Sequence, residues 1–193
     1  MGYVRPNGKV GVRNHVLVLP TVSCSAHTAV KIANRIKGAV ALYHEHGCGH
    51  MGPDLDRTKR TLIGMGTNPN VASVLVVGLG CEQITPEDVA RGIAASGKRV
   101  EVVVIQDAHG VRNAIRTGRR LVRELVAEAS QAERTQVPVS SLILGTECGG
   151  SDAMSGVSAN PAVGALVDKL INVGGKGILS ETPEFIGAEH LLA

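Results

Sequence analysis

Thiols and imidazoles recur where apolar segments of this sequence give way to polar turns. The chain contains four cysteines in four separate turns: Cys24, Cys48, Cys81 and Cys148. Three histidines lie within seven residues around the second of these cysteines: His44, His46 and His50. No two cysteines form a CxxC pair, which excludes zinc-ribbon and thioredoxin spacing. Thiolate and imidazole are ligands that iron and zinc favour, so these residue types indicate a transition-metal site.

Carboxylates accompany the cysteines. Glu82, Glu147 and Asp152 lie in the same turns, where a carboxylate can serve as a metal ligand or as a general acid or base. Each residue taken alone also has a simpler explanation, because a single cysteine is more often a small buried apolar residue and a surface loop can carry histidines without function. The functional interpretation therefore depends on whether these turns converge in the folded chain.

Apolar strands and amphipathic helices alternate along the chain and predict where those turns lie. Strands are predicted over 15–19, 39–43, 71–77, 100–105, 142–144 and 177–180, with helices between them. This alternation is typical of an α/β fold with a doubly wound, mostly parallel sheet of about six strands, Rossmann-like or flavodoxin-like. Because the carboxyl ends of parallel strands share one edge of the sheet, the four cysteines are predicted to converge there.

Residues 1–193 are predicted to form one α/β domain, with the polar segment 132–138 as a loop inside it. Residues 1–14 are predicted as a hairpin or ordered arm, because Asn7-Gly8 is a type I′ turn signal. The turn after the apolar run at 142–144 is far longer than the roughly 2–6 residues of an ordinary connection between a strand and a helix. Its length favours a functional role for the segment 142–161.

Composition excludes several classes of protein. Aromatic residues make up 2% of the 193 residues, with no tryptophan, so the stacking platforms of single-stranded nucleic-acid binders are missing. No apolar run approaches the roughly 18 residues that span a bilayer, and no secretion signal opens the chain. We therefore expect a soluble, cytoplasmic protein without nucleic-acid or membrane partners. The net charge of +3 favours small anionic ligands.

Six segments of the sequence resemble the altronate/galactarate dehydratase family of sugar-acid hydro-lyases. They are GYVRPNGKVGVRN (2–14), PTVSCS (20–25), HEHGCG (44–49), NPNVASVLVVGLGCE (68–82), CGGSDAMSGVSANP (148–161) and SETPEFIGAEHLL (180–192). Together they extend over nearly the whole chain. The resemblance implies that a sugar acid such as altronate or galactarate loses water to give a 2-keto-3-deoxy acid, in a reaction that requires Fe²⁺, Mn²⁺ or another divalent metal.

The resemblance also implies roles for residues on the matching motifs. The implied metal ligands are His44, Cys48, Cys81 and Cys148. The implied proton-transfer residues are Glu82, Asp152 and Glu181. The implied substrate-binding residues are Arg5, Arg13, Asn14, Cys24 and Ser151, since an arginine can hold a carboxylate through two hydrogen bonds. Which carboxylate is the acid and which the base stays open.

Three alternatives stay open beside this interpretation. A related sulfolactate sulfo-lyase would use the same β-elimination chemistry on another substrate. A non-catalytic metal-binding half-subunit would bind metal without turnover. An iron–sulfur cluster would replace the single metal ion, although the wide spacing of the cysteines gives it no direct support.

The resemblance finally implies that part of the enzyme lies outside this chain. Family members continue beyond the SETPEFIGAEHLL segment with a second large region, and many begin with a small N-terminal domain or subunit. The chain is therefore expected to be a fragment of a longer enzyme, and its isolated form is expected to have little activity. An uncovered apolar face where the other region docks would favour self-association into a homo-oligomer.

Overall fold

A computed structural model of the chain describes residues 1–150 and 152–191. They divide into two compact units, Met1–Thr135 and Gln136–Ala193. The junction lies within the polar segment 132–138, which the sequence predicts as a loop inside one domain.

The first unit contains a four-stranded parallel sheet, four helices and a small hairpin. Its elements are β1 (Tyr3–Val4), β2 (Val10–Gly11), β3 (His15–Pro20), α1 (Ser23–Ala33), β4 (Ala39–Ala41), α2 (Pro53–Thr67), β5 (Val71–Gly78), α3 (Pro86–Ala94), β6 (Val100–Val104) and α4 (Val111–Ala129). The sheet has the strand order β4-β3-β5-β6, and every neighbouring pair is parallel. Strand β4 therefore lies on one side of β3, and the chain then crosses to the other side of β3 to form β5. The boundary between β3 and β5 is the topological switch point of the sheet.

Alternation along the two central strands explains why helices cover both faces of the sheet. Val16 and Val18 of β3 pack on one face with α1 and α4, whereas Leu17 and Leu19 pack on the other face with α2 and α3. Strand β5 is almost wholly buried, as expected for a parallel strand with helices on both sides. The doubly wound α/β fold predicted from the sequence is confirmed.

The predicted N-terminal hairpin is present, but its turn is of a different type. Strands β1 and β2 pair antiparallel, and the Gly8 amide donates to the Arg5 carbonyl at 2.8 Å. Gly8 has φ 77°, whereas Asn7 does not have positive φ, so the type I′ prediction is wrong. Pro6 fixes its own φ near −65°, which favours a three-residue loop that ends in a left-handed glycine.

The second unit is a short strand-helix-strand motif. Strand β7 (Ile143–Thr146) pairs parallel with β8 (Lys176–Leu179), and α5 (Asn160–Asn172) connects them. A single wide helical turn at Ser155–Ala159 leads directly into α5. The predicted strands and helix are present, but β7 and β8 form a sheet of their own. The six predicted parallel strands are therefore divided between a four-stranded sheet and a two-stranded sheet.

Helix boundaries in the first unit follow local sequence signals. The Thr85 hydroxyl accepts a hydrogen bond from the Asp88 amide at 3.2 Å and caps α3, whose first residue is Pro86. No helix within 1–150 and 152–191 combines the length and the apolar character needed to cross a membrane.

Lys98 is a buried cation that joins the end of α2 to the start of β6. Its Nζ donates to the Gly66 carbonyl at 2.9 Å and to the Asn68 carbonyl at 2.5 Å. The first of these carbonyls belongs to the last turn of α2, where backbone oxygens lack partners within the helix. Burial, with a smaller effect from the nearby positive charges of Arg5 and Lys9, lowers the pKa of Lys98 to about 8.

This shift predicts a pH-dependent stability. In the unfolded chain a lysine has a pKa of about 10.4, so between about pH 8 and 10.4 the unfolded state binds a proton that the folded state has lost. The free energy of unfolding of the first unit should therefore rise across that window, by up to about 3 kcal/mol. Urea denaturation at several pH values should show the rise in the wild type relative to Lys98→Met. Equal pH profiles for the two proteins would contradict the assignment.

Candidate active site at the carboxyl edge of the sheet

Four loops meet at the carboxyl edge of the four-stranded sheet. They follow β3, β4, β5 and β6. Cys24 lies in the first turn of α1, just after the first loop, and the second and third loops carry Cys48 and Cys81. All three thiols are exposed. The structure thus places these cysteines at one edge of the sheet, as the sequence predicts. Cys148 follows β7 in the second unit and is also exposed.

The Glu82 carboxylate joins the ends of the two central strands. The Thr21 hydroxyl, just after β3, donates to Glu82 Oε1 at 2.6 Å. Three backbone amides of the loop after β5 also donate to it: Leu79 at 2.9 Å, Gly80 at 2.6 Å and Cys81 at 3.0 Å. Each carboxylate oxygen accepts two hydrogen bonds, so the usual acceptor capacity of the group is filled.

These hydrogen bonds decide the protonation state of Glu82. Partial burial by itself raises the pKa of the carboxyl, but the hydrogen bonds from Thr21 and the backbone amides outweigh it, and the pKa lies below its ordinary value. The group is therefore ionised at neutral pH, with no lone pair left to take a proton in this arrangement. The geometry fits a residue that positions the Cys81 loop; the proton-transfer role of Glu82 stays a prediction.

His44 is engaged through both ring nitrogens. Its Nε2 lies 2.8 Å from the Pro20 carbonyl, to which it must donate, and its Nδ1 accepts from the His46 amide at 3.2 Å. The neutral ring therefore carries its proton on Nε2 and has no nitrogen left for a metal in this conformation. Its part in metal binding stays a prediction, and the structure shows it fastening the loop after β4 to the end of β3.

Gly47 lets that loop approach β3 closely. A Cβ at this position would lie 2.4 Å from the Thr21 carbonyl oxygen, and the residue has φ 96°, a conformation that favours glycine. The same contact region includes the hydrogen bond from the Ser23 amide to the His46 carbonyl at 2.9 Å. Thr21 and Gly47 were not singled out from the sequence, although both lie inside the segments PTVSCS and HEHGCG.

The predicted metal ligands are divided between the two units. His44, Cys48 and Cys81 belong to the first unit and Cys148 to the second. Within residues 1–150 and 152–191, no three His, Cys, Asp or Glu side chains are grouped so as to hold a metal ion. The metal-binding roles of these four residues stay predictions.

The second unit holds a separate set of polar contacts. The Cys148 amide donates to the Glu181 carboxylate at 2.8 Å, and Glu181 itself has φ 62°. Asp152 Oδ1 accepts from the Met154 amide at 2.7 Å and the Ser155 amide at 3.0 Å, so it closes the turn before the helix. The predicted residue Ser151 lies outside the described residues.

Arg5, Arg13 and Asn14 lie at the opposite, amino edge of the sheet. The Arg5 guanidinium is buried and donates to the Pro69 carbonyl at 2.7 Å, to Asn14 Oδ1 at 2.8 Å and to the Arg13 carbonyl at 2.9 Å. Asn14 donates in turn to the Ala129 carbonyl at 2.7 Å. These contacts fasten the N-terminal arm to the sheet. Substrate binding by the three residues stays a prediction, and the structure does not bring them to the cysteine-bearing edge.

Two sequence models of one enzyme family together match almost the entire chain. The model described as D-galactarate dehydratase/Altronate hydrolase, second domain, matches residues 2–130. The chain belongs to this family. The model described as D-galactarate/Altronate dehydratase, C-terminal, matches residues 139–193. The structure divides into its two units between the two matches, after Thr135, and the resemblance noted from the sequence is confirmed.

Relatives with different names match the full length of this family member. It is 47% identical over 193 residues to (2R)-sulfolactate sulfo-lyase subunit beta of Chromohalobacter salexigens, a match that includes 100% of the chain and 49% of that protein. It is 36% identical over 202 residues to altronate dehydratase of Bacillus subtilis, with 99% and 40% covered. It is 34% identical over 211 residues to galactarate dehydratase (L-threo-forming) of Escherichia coli, again with 99% and 40% covered. The chain spans about half or less of the length of these relatives.

The filled acceptor positions of Glu82 predict the effect of an isosteric change. Glu82→Gln removes the charge and turns an NH₂ group toward backbone amides, so at least one amide donor loses its acceptor. We expect unit 1 to lose about 1–3 kcal/mol of its free energy of unfolding, measured by urea denaturation at pH 7. Glu87→Gln, an exposed residue in the first turn of α3, is the matched control and should cost much less. An equal loss of unfolding free energy in the two variants would show that the Glu82 carboxylate does not stabilise the loop after β5.

Proposed function

We propose that this chain forms part of a lyase that removes water from a sugar acid of the altronate or galactarate type to give a 2-keto-3-deoxy sugar acid. The observation that carries the proposal is the pair of family matches over 2–130 and 139–193. Three relatives that are named altronate dehydratase or galactarate dehydratase match 98–99% of the chain at 34–37% identity. The cysteine-bearing edge at a topological switch point supports it, because open α/β sheets bind ligands there.

The proposed elimination needs two proton transfers. A base takes the proton on the carbon next to the carboxylate, the hydroxyl on the following carbon leaves with a proton from an acid, and the resulting enol becomes the keto acid. Asp152 and Glu181 are the proposed proton-transfer residues, with Cys24 and Ser151 near the substrate. We assign Glu82 to positioning the Cys81 loop, because its carboxylate already accepts four hydrogen bonds.

A divalent metal, Fe²⁺ or Mn²⁺, belongs to the proposal as the resemblance implies it. When bound, such an ion would stabilise negative charge on the substrate carboxylate as the proton leaves. Cys48, Cys81 and Cys148 are the better candidates to hold it, because both ring nitrogens of His44 are engaged. An iron–sulfur cluster on the same thiols is less favoured.

A second candidate function is the β-elimination of sulfite from sulfolactate. The specific observation in its favour is the 47% identity to (2R)-sulfolactate sulfo-lyase subunit beta, against 34–37% for the dehydratases. The first chemical step would be the same removal of a proton next to a carboxylate. The two candidates differ in the leaving group, which is water in one and sulfite in the other.

We further propose that the active protein includes polypeptide beyond these 193 residues, either as a longer chain or as a partner subunit. The chain spans 49% of a relative that is itself named a subunit beta. Association with a second copy is a further proposal. We place the protein in the cytoplasm, where its thiols stay reduced.

Substrate assays separate the two functions. The protein with its remaining polypeptide or partner subunit, loaded with Fe²⁺ without oxygen, should form a 2-keto acid from altronate or galactarate and release no sulfite from (2R)-sulfolactate. Sulfite release at a higher rate than dehydration would favour the sulfo-lyase. No product from any of the three substrates, by that larger protein when it is folded and binds metal, would favour the alternative in which this chain is a non-catalytic metal-binding half-subunit.

Metal binding tests the thiol ligands directly. We expect about one Fe²⁺ or Mn²⁺ per chain by elemental analysis after anaerobic dialysis, and loss of most of it in Cys81→Ser and Cys148→Ser. Cys24→Ser is the matched control, because this exposed thiol lies at the same edge and is not a proposed ligand. Unchanged metal content in all three variants would remove the cysteines from the metal site.

A further inference from the structure

A groove in the first unit lies between the segment that follows β4 and the outer surface of α2. Its volume is about 570 Å³, which falls within the range of about 300–1,000 Å³ that is usual for small-molecule sites. One wall carries His44, His46 and His50, and the other carries residues along α2 from Asp54 to Met65. The groove begins at the carboxyl end of β4, on the edge where open α/β sheets bind ligands.

The three imidazoles form a row. The rings of His44 and His46 are stacked with centroids 6.2 Å apart, and those of His46 and His50 are tilted with centroids 5.7 Å apart. His50 Nδ1 lies 3.0 Å from the Thr58 hydroxyl of α2, which fixes the third ring against the opposite wall. The contacts of His44 with Pro20 and His46 fix the first ring.

The row leaves hydrogen-bonding capacity unused in the groove. Within the described part of the chain, neither ring nitrogen of His46 nor Nε2 of His50 has a hydrogen-bond partner. A neutral imidazole has one N–H donor and one acceptor nitrogen, so both rings can donate to a ligand without a change of charge. This differs from His44, whose nitrogens are both engaged.

The α2 wall adds a cation and an anion. Arg57 lies 3.8 Å from Asp54, and both side chains are 74% exposed, so the pair is weak and leaves the guanidinium available. A guanidinium presents paired N–H groups that match a carboxylate. Leu62 and Met65 supply an apolar part of the lining that can receive the C–H face of a ligand.

We propose that this groove binds a small hydroxy acid, with its carboxylate held by Arg57 and the free ring nitrogens of His46 and His50. The Asp54 carboxylate then accepts hydrogen bonds from hydroxyl groups of the same ligand and repels a ligand that offers only carboxylates. The choice of a hydroxy acid rests on the proposed function, whereas the location rests on the groove itself.

Direct binding tests the proposal without turnover. The chain is labelled with ¹³C at the methionine methyl groups, and the Met65 signal is followed as galactarate is added. The second ligand is adipate, which has the same six-carbon dicarboxylate chain without hydroxyl groups. We expect galactarate to shift the Met65 signal in a saturable way and adipate to bind about tenfold more weakly or worse.

Two variants and one control assign the binding to the named residues. Arg57→Gln should weaken galactarate binding by about tenfold or more. His46→Phe keeps a ring in the row but removes its nitrogens, and should weaken binding as well. Arg60→Gln is the matched control, since Arg60 is an exposed arginine on the same helix outside the groove. The backbone amide spectrum of each variant verifies that it is folded.

The outcomes separate this inference from the proposed function. A Met65 shift that is lost in Arg57→Gln and kept in Arg60→Gln supports the groove, even where no dehydration is detected. No saturable shift in the folded wild type overturns the proposal, as does an equal loss in the two arginine variants, which would indicate attraction by general positive charge. Dehydration of galactarate that is unaffected by Arg57→Gln would leave the proposed function standing and reject the groove.

Discussion

The hydrogen bonds to the Glu82 carboxylate are the constraint on which the candidate site depends. They connect Thr21, the residue that follows β3, with three consecutive amides after β5, across the boundary from which the chain diverges to both sides of the sheet. Without that carboxylate, the three amides aimed at one point would lose their common acceptor. The position of the Cys81 loop therefore depends on one ionised side chain. The close approach of Gly47 to the Thr21 carbonyl brings the loop after β4 to the same edge of the sheet.

The two edges of the sheet use their charged residues differently. At the amino edge, the buried Arg5 donates to a backbone carbonyl and to Asn14 and holds the N-terminal arm in place. The buried Lys98 donates to two backbone carbonyls and holds the end of α2 in place. At the carboxyl edge, the thiols of Cys24, Cys48 and Cys81 are exposed. This division is expected in an open α/β fold, where strand starts serve stability and strand ends carry ligands.

The family relationship limits the chemistry more than it limits the substrate. Relatives named as dehydratases and as a sulfo-lyase match the same residues of this chain over nearly its full length. Both names describe lyases, so the family relationship supports a lyase and leaves the substrate open. The two candidate reactions differ in the leaving group, and the groove beside α2 is our proposed binding site for the hydroxy acid.

The sequence by itself determined the local elements and their order. Runs of β-branched residues such as 71–77, and signals such as Thr85-Pro86, depend on neighbours a few residues away, so the strands, the helices, the hairpin and the cysteine after each of three sheet strands were predictable. Only the tertiary structure decided that Glu82 has its acceptor positions filled, that His44 carries its proton on Nε2, that Arg5 lies at the amino edge, and that β7 and β8 form a separate sheet. Each of these depends on partners that are distant in sequence, as Thr21 is from Glu82 and Pro69 from Arg5. Residue type indicates what a side chain can bind, whereas long-range strand pairing decides which of those bonds are already made.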